Sequence, residues 1–207
     1  PETERLIEAG RGTNLPFNAQ TPALNPQLAA TPASAPRLTF IETITVLNRQ
    51  PAEFGWGDDT IVFFNDSPKF DYARPAAAVD PRSGVICIPN NFDYGSGRHL
   101  PEGLVRVTCL ANYNLWAALP EEAYQAEKQK WFAEAQHSAR RFLPPLSSSA
   151  DYAASIVATD MFTPRTITKF TGHLDGAIYG APVKNRQGRT ALDKVYLCGT
   201  DQGFLGI

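Results

Sequence analysis

The sequence predicts an α+β fold in which an antiparallel or mixed β-sheet is covered by one long helix. Three observations predict it. Runs of β-branched and aromatic residues begin at Leu38, short turn-forming loops separate these runs, and one continuous helical pattern follows Pro120. Strands joined by short loops favour antiparallel pairing, and an amphipathic helix buries its apolar face on such a sheet.

The segment before the sheet is dominated by proline. Residues 1–36 hold six of the 17 prolines of the chain, among mostly small and polar side chains. Proline lacks a backbone N–H and restricts the residue before it. We therefore interpret 1–36 as a Pro-rich linker or arm, without a helix or central strand of eight or more residues between 13 and 36.

Six later segments have the composition of strands, because they are rich in β-branched and aromatic residues and bounded by turn formers. They are residues 38–47, 60–64, 84–89, 104–113, 152–158 and 194–198.

The long helix is predicted between Pro120 and Arg141. Proline at its start, Glu121 and Glu122 in its first turn and arginines in its last turn agree with the helix dipole. Pro164 opens a second, shorter helix or turn. The side chains that repeat at helical spacing, and should therefore face the sheet, are Tyr124, Trp131, Ala135 and Phe142.

Charge and apolar content exclude several classes of protein. The 19 Lys and Arg residues and 21 Asp and Glu residues give a net charge of −2, so no basic surface for nucleic acid is expected. The longest mainly apolar stretch, residues 104–119, is interrupted by polar residues and is shorter than the roughly 18 residues that a membrane span needs. We expect neither nucleic-acid binding nor a transmembrane span.

The cysteines and histidines form no ligand pattern. Cys87, Cys109 and Cys198 each stand alone within apolar runs, which predicts buried, reduced thiols and a cytoplasmic protein. The three histidines are far apart in the sequence. No metal site is therefore expected.

The C-terminal part of the chain carries short motifs in a fixed order. They are Phe-Thr-Pro-Arg-Thr at 162–166, Lys-Phe-Thr at 169–171, Gly-Ala-Ile-Tyr-Gly at 176–180 and Tyr-Leu-Cys-Gly-Thr-Asp-Gln-Gly-Phe-Leu-Gly at 196–206. In this order and at these spacings they resemble the C-terminal region of the phytoene desaturase and carotenoid isomerase family of flavoproteins.

This resemblance implies a fragment of an FAD-dependent oxidoreductase or isomerase that acts on a long apolar polyene or lipid-like substrate. Residues 37–187 would be part of the substrate-binding domain of a two-domain flavoprotein, and 188–207 the beginning of its C-terminal FAD-binding segment, with both ends truncated. The chain has no G-x-G-x-x-G motif. We therefore expect FAD in the full-length protein, and a fragment that is inactive and without flavin by itself.

The resemblance also assigns site residues. The cofactor-binding residues would be Gly199, Thr200, Asp201, Gly203 and Gly206. The glycines would let the backbone approach the cofactor closely, and the Asp201 carboxylate would accept a hydrogen bond from a ribityl hydroxyl. Tyr179 and Gly180 would line the substrate tunnel at its flavin end. No catalytic residue and no metal ligand is predicted.

Two alternatives remain open at this level. One is a fragment of an amine-oxidase-like flavoprotein. The other is a non-catalytic module that grips a lipid or a protein with the aromatic residues Phe54, Trp56, Phe92, Tyr94 and Trp116. Peripheral membrane contact and self-association of the fragment through exposed apolar faces are further expectations.

Overall fold

The structure, a computed structural model, describes residues 38–69, 71–180, 184–190 and 194–202. The predicted arm at 1–36 lies outside the described residues.

A five-stranded antiparallel sheet forms the centre of the fold, with strand order β2-β3-β4-β1-β5. This arrangement confirms the α+β class and the antiparallel pairing. The strands are β1 Thr39–Leu47, β2 Ile61–Asn65, β3 Val79–Cys87, β4 Gly103–Ala111 and β5 Ile156–Phe162.

The helices confirm the long element and add shorter ones. Within the described ranges the α-helices are α1 Tyr113–Ala117, α2 Glu121–Arg140, α3 Ser149–Ser155 and α4 Pro164–Thr171. Short 3-10 turns lie at Pro51–Phe54, Pro89–Asn91 and Leu174–Gly176. The expectation of one long helix is therefore only partly matched, since α2 has three shorter companions.

The two faces of the sheet differ in what covers them. Along β1 every second residue is buried, beginning with Thr39, and the residues between are half-buried, because side chains of a strand alternate between faces. Gln136 of α2 donates a hydrogen bond to the Thr43 hydroxyl at 2.8 Å. The fully buried face of β1 is thus the one that α2 covers, and the half-buried face, with Phe40 and Glu42, points the other way.

The helix face against the sheet is less apolar than predicted. Tyr124 and Ala135 are buried, whereas Trp131 and Phe142 are only partly buried against the core. The polar side chains Gln136 and Ser138 are buried as well, together with Ala139. The Ser138 hydroxyl donates a hydrogen bond to the carbonyl of Pro81. Helix α2 therefore contacts β3 through a hydrogen bond as well as through packing.

Three predicted strands have different boundaries. The segment predicted as a strand at 152–158 begins in α3 and becomes extended only at Ile156, because the Ser148 hydroxyl caps the helix by accepting the Asp151 amide at 3.2 Å. β3 begins at Val79, five residues before Gly84, through an irregular register against β4. β4 ends at Ala111 rather than Tyr113.

The strand predicted at 194–198 is wrong. Within the described part of this region only an isolated bridge joins Arg189 to Tyr196. Val195 and Tyr196 are 45% and 66% exposed. Cys198 is exposed as well, contrary to the expected burial of the thiols, while Cys109 is buried and Cys87 is intermediate.

Candidate functional site

A cavity of about 330 Å³ opens at the β2-β3-β4 side of the sheet. Its lining is mainly apolar and aromatic. The residues that line it are Phe63, Phe64, Asn65, Tyr72, Ser83, Gly84, Val85, Thr108, Cys109, Leu110 and Tyr179.

Strand register builds the apolar floor of this cavity. Phe63 lies opposite Val85, and Val85 lies opposite Thr108. Cross-strand neighbours point to the same face of a sheet, so these three side chains form one row across β2, β3 and β4. Phe63 is 80% exposed, which leaves a large aromatic surface at the rim of the cavity.

Gly84 allows the strands to pack closely at the cavity. A Cβ at this position would collide with the carbonyl oxygen of Thr108 and would lie 2.9 Å from the Phe64 ring and 3.1 Å from the Cys109 sulfur. Burial raises the pKa of the Cys109 thiol to about 12. Cys109 is therefore an uncharged, buried group beside Gly84.

Tyr179, a predicted substrate-lining residue, forms part of the cavity wall. Its ring centroid lies 5.2 Å from that of Phe40 and 6.4 Å from that of Tyr72. Burial is the main cause that raises the pKa of both tyrosines. Both phenols are therefore neutral at physiological pH.

The chain reaches this position through the Thr-Pro motif at 163–164. The Thr163 hydroxyl caps α4 by accepting the Thr166 amide at 3.3 Å, and it lies 2.7 Å from the Tyr124 hydroxyl of α2. Gly176, at φ +61°, then packs so closely that a Cβ would lie 2.9 Å from the Thr39 hydroxyl of β1. These contacts hold the segment that leads to Tyr179 against both the long helix and the sheet.

Gly180 brings the predicted substrate and cofactor residues together. It adopts φ +68°, and a Cβ there would lie 2.5 Å from Asp201 Oδ1 and 2.8 Å from the Thr200 carbonyl oxygen. The Gln202 amide donates to the Gly199 carbonyl at 3.0 Å and closes a turn at 199–202. Thr200 and Asp201 therefore contact the residue that follows Tyr179.

Lys184, which no sequence motif singles out, fixes this contact. Its ammonium donates to the carbonyl of Tyr179 at 2.5 Å and to that of Thr200 at 2.7 Å. Desolvation lowers its pKa, and the Asp201 carboxylate opposes that effect. The Asn185 amide also donates to the Asp201 carbonyl at 3.0 Å. No sequence motif could reveal this clamp, because the acceptors are backbone carbonyls.

The structure says less about the other predicted cofactor-binding residues, Gly199, Gly203 and Gly206. Gly199, at φ +93°, has no described atom within 4 Å of where a Cβ would be, so no described residue packs on that side of the turn. Gly203 and Gly206 lie outside the described residues. Among the residues that the structure describes, no group of three His, Cys, Asp or Glu side chains is arranged to hold a metal ion.

The aromatic residues of the binding-module alternative do not form one surface. Phe54, Trp56 and Trp116 are buried in the core, at 1%, 3% and 0% exposure. Phe92 and Tyr94 remain as an exposed pair with ring centroids 6.3 Å apart. Three of the five aromatic residues thus serve packing.

Comparisons with known proteins add no family. No protein-family model matches the chain, and a search of curated proteins finds no significant match. None of the helices in the described ranges combines the length and the apolar character that crossing a membrane requires.

Proposed function

We propose that this chain is the substrate-binding part of an FAD-dependent oxidoreductase or isomerase, and that its sheet cavity holds part of a long apolar polyene or lipid-like substrate. One observation carries the proposal. Tyr179 lines the apolar cavity, and the next residue, Gly180, contacts Thr200 and Asp201, which the family resemblance assigns to the cofactor.

The chemistry of the cavity supports an apolar ligand. Its volume falls within the usual range for small-molecule sites, about 300–1,000 Å³. Each 100 Å² of apolar ligand surface buried there contributes about 2.5 kcal/mol. The described lining contains no Asp, Glu, Lys, Arg or His, so it offers neither a charged partner for an ionic substrate nor a strong acid or base.

The turn at 199–202 is the described part of the chain that would contact the flavin. At Gly199 no described atom lies within 4 Å of a Cβ position, so the backbone there allows close approach, and a carboxylate such as that of Asp201 is a suitable acceptor for a ribityl hydroxyl. FAD, when bound, supplies the hydride chemistry. The protein would orient the substrate in two ways. Lys184 holds Tyr179 next to the turn, and the apolar lining of the cavity would contact the apolar part of the substrate.

One observation favours an amine-oxidase-like enzyme as the second candidate. Tyr72 and Tyr179 form a tilted pair with ring centroids 6.4 Å apart. Aromatic faces at such a separation attract a substituted ammonium group. The two candidates differ in the ligand that the cavity prefers, a neutral polyene or a cationic amine.

Binding of a fluorescent polyene tests the proposal. Val85→Trp fills the cavity floor, whereas the matched variant Val157→Trp adds the same side chain to β5 at a position that is 57% exposed and outside the cavity lining. We expect all-trans-retinol to bind the wild type and Val157→Trp alike, and Val85→Trp at least tenfold more weakly. Circular dichroism checks that both variants fold.

Two outcomes would contradict the proposal. Equal affinity of Val85→Trp and Val157→Trp would show that the polyene does not occupy this cavity. A clear preference of the wild type for a long-chain trimethylammonium compound over the polyene would favour the amine candidate instead.

A further inference from the structure

Tyr179 lines the apolar cavity, and its hydroxyl is the hydrogen-bonding group of its side chain. The ring is held by Phe40 and Tyr72, and the backbone carbonyl accepts from Lys184. Across the described part of the chain, no hydrogen bond links the hydroxyl to another protein group. The described side-chain polar atoms that are sealed from solvent without a partner are Thr39 Oγ1 and the Tyr152 hydroxyl. The Tyr179 hydroxyl is thus still accessible.

Two other polar side chains of the wall, Asn65 and Tyr72, already have interactions with the protein. The Asn65 side chain donates to the Ser67 carbonyl at 3.0 Å and accepts the Ser67 hydroxyl at 2.7 Å. Tyr72 has a further interaction of its own. The Tyr179 hydroxyl, by contrast, is not hydrogen-bonded to any described protein group.

A ligand that fills the cavity changes the hydrogen bonding of the Tyr179 hydroxyl. Before a ligand binds, water can form a hydrogen bond with it. A pure hydrocarbon would displace that water and leave a buried donor without an acceptor, which costs about as much as a lost hydrogen bond. A ligand with an oxygen atom at this point would replace the water and keep the hydrogen bond. Sites of this kind strongly reject analogues that lack the polar group.

The protonation state of Tyr179 suits a donor. Burial, together with the nearby Tyr72, Glu42 and Cys109, raises its pKa. Glu42 is itself paired with Arg106 at 2.5 Å on the neighbouring strand. The phenol therefore keeps its proton and can donate a hydrogen bond to a hydroxyl or carbonyl oxygen.

We infer that the molecule bound in this cavity is an oxygenated polyene or isoprenoid lipid, with a hydroxyl or carbonyl oxygen near Tyr179, and that Tyr179 is the residue that selects for this oxygen. The inference rests on the proposed function and narrows its substrate class. Lys184 contributes as a positioning residue, because it holds the Tyr179 carbonyl in place.

A pair of matched probes tests the inference. All-trans-retinol carries the oxygen, and its deoxy analogue has the same polyene with a methyl group in place of the hydroxymethyl group. We expect the wild type to bind retinol about tenfold more tightly than the hydrocarbon. Tyr179→Phe should lower the retinol affinity to that of the hydrocarbon and leave the hydrocarbon affinity unchanged or slightly higher.

Tyr196→Phe is the control, because Tyr196 is 66% exposed and does not line the cavity. It should change neither affinity. Equal binding of both probes to the wild type, or an equal loss of both in Tyr179→Phe, would overturn the inference while the cavity proposal stands. Failure of both probes to bind the wild type would instead refute the proposed function, and the inference with it.

Discussion

Replacing Gly180 by alanine tests whether the Tyr179 segment and the 199–202 turn are held together by direct packing. Gly180 has φ +68°, and its missing Cβ would lie 2.5 Å from Asp201 Oδ1. Gly172, at the end of α4, has nearly the same φ of +71°, but a Cβ there would meet no described atom within 4 Å. The Gly172→Ala variant therefore shares the backbone strain and lacks the collision.

The expected magnitudes follow from these two terms. A left-handed conformation costs an alanine about 1–2 kcal/mol, and this applies to both variants. Overpacking against Asp201 and Thr200 adds about 1–3 kcal/mol in Gly180→Ala alone. This second term is concentrated on the contact with the turn, because the atoms that a Cβ would meet belong to Thr200 and Asp201.

Hydrogen exchange read by mass spectrometry separates the two variants. An added 1–3 kcal/mol corresponds to roughly 5- to 150-fold faster exchange. We expect this acceleration in peptides that cover 184–190 and 194–202 of Gly180→Ala, with Gly172→Ala close to the wild type there. Equal exchange of these peptides in both variants would refute the packing of Gly180 on the turn.

Three further predictions concern other parts of the chain. Cys198 should react with a disulfide reagent at pH 8 in the folded protein, whereas Cys109, buried with a pKa raised to about 12, should react only after denaturation; equal reactivity would contradict the packing of β4. Tyr124→Phe should lower the melting temperature by roughly 2–8 °C, because it removes the buried bond to the Thr163 hydroxyl; an unchanged melting temperature would show that this bond adds no stability. The purified chain should show no flavin absorbance, since its sequence lacks a G-x-G-x-x-G motif; stoichiometric flavin would show that the cofactor is held elsewhere.

Local chemistry made some elements predictable. β1 alternates buried and half-buried residues over its whole length, and the sequence pattern of 38–47 already has strand composition. Pro120 with Glu121 and Glu122 marks the start of α2, which begins at Glu121. In each case the signal lies within the element itself.

Elements whose state depends on distant partners were harder to predict. Residues 152–158 have strand composition, yet Tyr152 is drawn into a helix and packs on Phe54 and Trp56. Residues 194–198 have the same composition but form no strand among the described residues, where their only β-pairing is one isolated bridge between Tyr196 and Arg189. The β-propensity of a segment alone does not determine whether a partner strand pairs with it.

The candidate site, too, was only partly predictable from the sequence. Motif order pointed to Tyr179, Gly180, Thr200 and Asp201, and the structure brings these residues together. The cavity and the Lys184 clamp could not be read from the sequence. The cavity depends on the register of three strands, and the clamp depends on two backbone carbonyls 21 residues apart in the chain, at 179 and 200.

The most direct test of the central claim is a chemical-shift map of polyene binding. The isotope-labelled chain, of 22.6 kDa, is titrated with all-trans-retinol, and its amide resonances are followed by NMR. If the sheet cavity is the substrate site, saturable shifts concentrate at Gly84, Val85, Thr108, Leu110 and Tyr179. Shifts confined to the exposed loop around Phe92, or no shifts at saturating polyene, would contradict the claim.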